Sequence, residues 1–101
     1  MLAFFTIAPT GADDHLSDYV AQMLDLIDKS GLDYQFGPMG TTVEGEWDEV
    51  VDLIARCHKL MAGQAARVGT TIKIDDHVGR SGRLAGKMQS VEKKLGRELR
   101  K

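Results

Sequence analysis

The run Pro38-Met39-Gly40-Thr41-Thr42-Val43-Glu44-Gly45-Glu46-Trp47-Asp48-Glu49-Val50 (PMGTTVEGEWDEV) holds a turn, a strand and a helix start in immediate succession. Pro38, Met39 and Gly40 have turn chemistry: Pro presets φ and Gly relieves steric limits. Thr41 to Gly45 is β-branched and alternating, which predicts a strand. Thr41, Val43 and Gly45 then share one face, and Thr42 and Glu44 the other. Glu46, Asp48 and Glu49 follow, a favourable cluster for the positive end of a helix. A carboxylate at position 44, in the middle of strand-like residues, is either solvated or held there for a purpose.

Reading outward extends the pattern. Glu46 to Ala62 is expected to be a helix, with Trp47, Val50, Val51, Ile54, Cys57 or His58, and Met61 on one stripe and Gly63 at its end. Upstream, Asp33 to Gly37 predicts a short strand with Tyr34 and Phe36 on one side. His15 to Ser30 carries Leu16, Tyr19, Val20, Met23, Leu24 and Ile27 at helical spacing. Asp13 or Asp14 is its expected N-cap, and Gly31 suits its C′ position. Leu2 to Pro9 predicts a buried first strand. Arg67 to His77 predicts a last strand, with Val68, Thr70, Ile72 and Ile74 toward the core and Gly69, Thr71, Lys73 and Asp75 away from it. Residues 78–86 are expected to be a flexible connection, and Lys87 to Leu99 a terminal helix using Met88, Val91 and Leu95.

The predicted order is β-α-β-β-α-β plus one helix, in a chain of 101 residues. The fold class is therefore α+β: a single ferredoxin-like sandwich over residues 1–101 with an additional C-terminal helix. Two helices cover one sheet face. The other face is left to water, to the terminal helix or to another subunit.

Composition removes several function classes. Cys57 is the only cysteine, so no internal disulfide or CxxC site exists. The apolar run Leu2–Ala8 is too short to span a bilayer and has no preceding basic region, so membrane insertion and export are not expected and the cytoplasm is. Charge is lopsided. Residues 1–50 hold ten acids and only Lys29 as a base, whereas residues 51–101 hold five acids and twelve bases. This reflects solvated faces, self-association or an anionic partner.

No catalytic constellation is legible. Asp75, Asp76 and His77 cannot all reach one ion, because neighbours on a strand face opposite ways; no metal site is expected. His15 and His58 read as structural, and Cys57 as a core residue. Gly82-Arg83-Leu84-Ala85-Gly86-Lys87-Met88 departs from a phosphate loop: it has too few residues between its glycines and no Ser or Thr after the lysine. Arg80, Arg83 and Lys87 remain available to a phosphate or an acidic neighbour. RNA-binding domains with the same element order stack bases on aromatics of the two central strands. Here the third strand offers Thr42 and Glu44, so no nucleic-acid partner is expected.

Three blocks carry a family resemblance: "FFTIAPTG", "PMGT-x-VEGEWDEV" and "IKIDDH-x-GR". With the stretches between them, the chain resembles the thiamine-binding protein family over nearly its whole length. The resemblance implies a βαββαβ fold that dimerises through its sheets, sometimes to tetramers. It also implies a ligand, thiamine or its hydroxymethylpyrimidine half, held near the interface, and no catalysis or cofactor. Some related proteins carry two such domains in tandem; this one would need a homodimer.

Site residues follow from the chemistry of that ligand. A carboxylate can pair with an aminopyrimidine or balance a thiazolium, which selects Glu44 and Asp75, with the hydroxyl of Thr42 at the polar edge. Met39 is expected to pack on a ring. Lys73 would neutralise a carboxylate or meet a phosphate ester. Thr6 is added from the first strand. The alternatives are an enzyme of dimeric ferredoxin-like type using the same face, or a regulatory or assembly module.

Overall fold

The computed structural model describes residues 1–10, 16–79 and 82–99, together with the helical backbone but not the side chains of Leu16 and Lys87. The elements are β1 (Leu2–Pro9), α1 (Leu16–Lys29), β2 (Asp33–Phe36), β3 (Thr41–Glu44), α2 (Trp47–Ala62), β4 (Val68–Asp75) and α3 (Arg83–Leu95). The expected N-cap of α1, Asp13 or Asp14, lies outside the described residues.

The four strands form one antiparallel sheet in the order β2-β3-β1-β4. This is the ferredoxin-like arrangement that the element order predicts. β1 is central because it is the most apolar strand and is buried along much of its length. β2 and β3 join through a hairpin closed by the Gly37 N–H donating to the Gly40 carbonyl at 2.9 Å.

The register fixes what each face presents. Phe5 stands opposite Thr41 and Ile72, and Ala3 opposite Val43 and Ile74. That face meets α1 and α2 in a core of Ala3, Phe5, Ile7, Met23, Ile27, Val43, Val50, Leu53, Ile54, Cys57 and Met61. α1 contributes Met23 and Ile27, one turn apart on a single stripe. The Glu46 N–H at the start of α2 is accepted by the Glu49 carboxylate at 3.3 Å, satisfying one of the orphan donors of a helix N-terminus.

Three expectations are adjusted. The stripe of α2 runs through Val50, Leu53, Ile54, Cys57 and Met61; Trp47 and Val51 are exposed. Ile72 and Ile74 do face the helix layer, but stay 46% and 40% exposed. Alternation gives their direction, but not that β4 is an edge strand reaching past α2. The third adjustment concerns α3, which begins at Arg83 rather than Lys87 and stops at Leu95 before Gly96 (φ 72°, left-handed). Its early start depends on a distant partner, described below.

α3 lies on the opposite sheet face and touches β2 and β3. Leu84 and Met88 face that surface, whereas Val91 and Leu95 stay exposed. β2 is only four residues long, so the sheet meets only the first turns of α3. Among the described residues, most of the β1–β4 half of the face remains open.

Candidate functional site

The open face is two ordered rows. Residues directly opposite one another give Gln35–Thr42–Phe4–Lys73 in one row and Asp33–Glu44–Leu2–Asp75 in the next. Strands lie about 4.8 Å apart, so each row spans roughly 14 Å. Thr6 stands opposite Thr71 on the same face, one step further along β1 and β4.

Over these rows sits a cavity of about 680 Å³ lined by Leu2, Phe4, Gln35, Thr42, Lys73, Ile74, Asp75, Arg83 and Leu84. That is the size of an ordinary small-molecule site. Its floor is apolar at Leu2 and Phe4 and polar at Gln35, Thr42 and Lys73; α3 supplies one wall. Of the residues selected from sequence, the structure brings Thr42, Lys73 and Asp75 together here, with Glu44 beside them. Thr6 has the right face and lies one row away. Met39 is 82% exposed at the hairpin tip, in a separate hollow of about 300 Å³ that shares Phe4, Gln35 and Thr42 with the main cavity.

Glu44 has a defined task. Its side chain is 8% exposed, and its two oxygens accept the backbone N–H groups of Arg83 at 2.9 Å and Leu84 at 3.3 Å. These are orphan donors at the first turn of α3, where the helix dipole favours an anion. Gly82 precedes them in a left-handed conformation (φ 67°) and offers no capping side chain of its own. Glu44 thus serves as the N-terminal cap of α3 from 39 residues upstream. The outward direction deduced from alternation is confirmed; its partner is a helix end.

Asp75 is also engaged. Its carboxylate pairs with the Arg83 guanidinium, which also donates to the Asp75 carbonyl at 3.3 Å. The Arg83 side chain is 10% exposed and the Asp75 side chain 48%, so the pair is shielded on the α3 side and open to solvent on the β4 side. Among the described residues no group of three His, Cys, Asp or Glu side chains is placed to hold a metal ion.

Phe4, Gln35, Arg83 and Leu84 were not selected from sequence. The first two had a signal: Phe5 in the core sends Phe4 outward, and Tyr34 toward the helices sends Gln35 outward. Phe4 is positioned by Gly40. A Cβ at residue 40 would stand 2.4 Å from the Phe4 ring and 2.9 Å from the Thr6 methyl, so the ring leans into the space that only glycine leaves. Arg83, expected to be available to a phosphate or an acidic neighbour, has found the acidic neighbour in Asp75; Leu84 had no usable signal, because its place depends on the cap.

Cys57 and His58 are structural; His15, expected to be so too, lies outside the described residues. Cys57 is buried, and burial pushes its thiol up to about 11, away from a nucleophilic thiolate. His58 Nδ1 lies 2.6 Å from the Thr70 hydroxyl, tying α2 to β4. Beside it, Val51, Ile54, Ala55, Ile72 and Ile74 line an apolar groove of about 420 Å³. This groove lies along β4, which is an edge of the sheet.

Fold and site together define a class: a small ferredoxin-like domain with a ligand-sized cavity on its sheet face. The comparisons with known proteins narrow it. The family model for thiamine-binding proteins matches residues 3–92, and the chain belongs to that family. It is similar to UPF0045 proteins of Methanothermobacter thermautotrophicus (36% identity, covering 92% of this chain and 97% of the relative) and Mycobacterium bovis (31%, covering 94% of each). A crystal structure of a hypothetical protein from Methanocaldococcus jannaschii has a TM-score of 0.80 at 26% identity, covering 89% of this chain and 93% of that one. A Thermotoga maritima structure, described as that of a candidate thiamine biosynthesis or salvage protein, has a TM-score of 0.72 at 24% identity, covering 94% of both chains. At that identity the likeness speaks for the fold.

Proposed function

We propose that this protein is a non-catalytic binder of thiamine or its hydroxymethylpyrimidine precursor, with the ligand on the open sheet face against α3. The observation that supports this most is the row Gln35–Thr42–Phe4–Lys73 under a ligand-sized cavity, in a chain of the thiamine-binding family. Three members of the row suit an aminopyrimidine. The Phe4 ring offers a flat apolar surface for stacking. The Gln35 carboxamide carries a donor and an acceptor side by side, the complement of an amino group next to a ring nitrogen. Thr42 adds a hydroxyl. Glu44 and Asp75 hold negative charge at the wall, which favours a thiazolium, while their oxygens are engaged by α3. In this reading Thr42 and Lys73 are direct contacts, Thr6 and Met39 border the site, and Glu44 and Asp75 act by positioning Arg83 and Leu84.

A second copy completes the reading. The β4 edge and the apolar groove beside it form one continuous surface, suited to isologous edge-to-edge pairing in a homodimer. This would place a partner next to Lys73 and the open half of the face. The exposed Val91 and Leu95 of α3 offer a second contact for a tetramer.

Thermal unfolding with thiamine and hydroxymethylpyrimidine tests the binding claim. Ligand at 100 times its dissociation constant adds about 2.7 kcal/mol to the native state. No stabilisation by either compound at millimolar concentration contradicts it.

A further inference from the structure

The balance of charge in the cavity carries a sharper reading, which rests on the function proposed above. Among the described residues, four charged side chains meet there: Glu44 at its edge, and Lys73, Asp75 and Arg83 in its lining. Three are engaged within the chain. Glu44 takes the N–H groups of Arg83 and Leu84. Asp75 and Arg83 take each other. Lys73 is exposed and, among the described residues, has no hydrogen-bond or ion-pair partner. One of the two roles expected for it, neutralising a carboxylate, is therefore filled by Arg83.

Lys73 stands at the β4 end of the ring platform, directly opposite Phe4. Phe4, Thr42 and Gln35 extend from it across the sheet in one row. Thr71 follows on the same face of β4, with Thr6 directly opposite on β1. Alternate residues of a strand are about 7 Å apart, so Lys73, Thr71 and Thr6 form a compact corner of one ammonium and two hydroxyls. All three groups donate hydrogen bonds. Such a corner suits an anion with several acceptor oxygens, one row away from a stacked ring.

We propose that the site takes a phosphate monoester of its pyrimidine ligand, with the Lys73 ammonium, Thr71 and Thr6 holding the phosphate and Lys73 determining specificity for the ester over the free alcohol. Charge-assisted hydrogen bonds are about twice as strong as neutral ones, and Lys acts toward phosphate as a point charge.

Calorimetric titration at fixed ionic strength tests this with five probes: thiamine, thiamine monophosphate, hydroxymethylpyrimidine, its monophosphate, and inorganic phosphate. Each ester is expected to bind the native chain about tenfold tighter than its alcohol, a difference of about 1.4 kcal/mol. Lys73→Met should abolish that preference, weakening each ester about tenfold more than its alcohol, and Lys73→Arg should retain most of it. Equal binding of ester and alcohol, or a preference that survives Lys73→Met, overturns the inference and leaves the binding function standing. Binding of none of the organic probes overturns both. Inorganic phosphate binding as tightly as the esters also overturns it, because the site would then read the anion without the ring.

Discussion

Replacing Glu44 by glutamine removes the charge that caps α3 while keeping the shape of the side chain. The carboxylate accepts two backbone N–H groups, at 2.9 and 3.3 Å, from a position 8% exposed. Glutamine has one acceptor oxygen, and its amide nitrogen would face a donor. Loss of a capping side chain costs about 0.5–2 kcal/mol, and an anion at a helix N-terminus contributes about 0.3–1 kcal/mol at exposed sites and more when partly buried. The two overlap, so a loss of about 1–2 kcal/mol is expected. For a domain of this size that lowers Tm by roughly 5–15 °C where α3 unfolds with the rest. α3 meets the sheet mainly at β2 and β3, with Arg83 reaching Asp75 of β4, so part of the loss should appear as local opening. Amide exchange at Arg83 and Leu84 should then accelerate about 5- to 30-fold in Glu44→Gln, with exchange in the Val43 region far less affected. Glu44→Asp, one methylene shorter, should behave similarly. A Tm within a degree of the native value, together with unchanged exchange at both amides, refutes the capping role.

Four further outcomes follow. Phe5→Ala should cost about 3–5 kcal/mol in urea unfolding, because Phe5 is fully buried in the core; Phe4→Ala should cost much less stability and weaken ligand binding more. Gly40→Ala places a methyl 2.4 Å from the Phe4 ring and should destabilise by about 1–3 kcal/mol; Phe4→Leu in the same chain should recover part of it. Cys57, held up to about 11 by burial, should resist alkylation at pH 8 until the chain unfolds. Because its folded pKa lies above the ordinary value of 9.0, its contribution is intact below pH 9 and fades as pH rises toward 11, so the stability gap between the native chain and Cys57→Ala should narrow over that window. Finally, Ile72→Lys with Ile74→Lys should leave the fold intact and, in sedimentation, convert a homodimer to a monomer; a native chain that is monomeric at micromolar concentration contradicts pairing along β4.

How much of this was legible in the sequence depended on distance along the chain. Strand direction came from local alternation: Val43 in the core required Thr42 and Glu44 to face outward, and Ile74 against the helices sent Lys73 and Asp75 the same way. The bounds of β1 were readable because the apolar run from Leu2 to Ala8 is interrupted only by Thr6. The start of α3 was not. Gly82-Arg83-Leu84 looks like flexible loop until Glu44, from another part of the chain, accepts its N–H groups. The cavity inherited that gap, since Arg83 and Leu84 form its wall. Gln35 was overlooked although the placement of Tyr34 and Phe36 already determined its face. The exposure of Ile72 and Ile74 depends on which strand ends up at the sheet edge, a property of strand order rather than of alternation.

The central claim is that the ligand occupies the open face of the sheet, on the row Gln35–Thr42–Phe4–Lys73. An amide NMR titration with thiamine and hydroxymethylpyrimidine tests it most directly. Saturable shifts should concentrate at Phe4, Gln35, Thr42, Lys73 and Leu84, with Ile54 and His58 across the sheet little changed. Shifts confined to the α2–β4 groove, or no shifts at millimolar ligand, contradict the account.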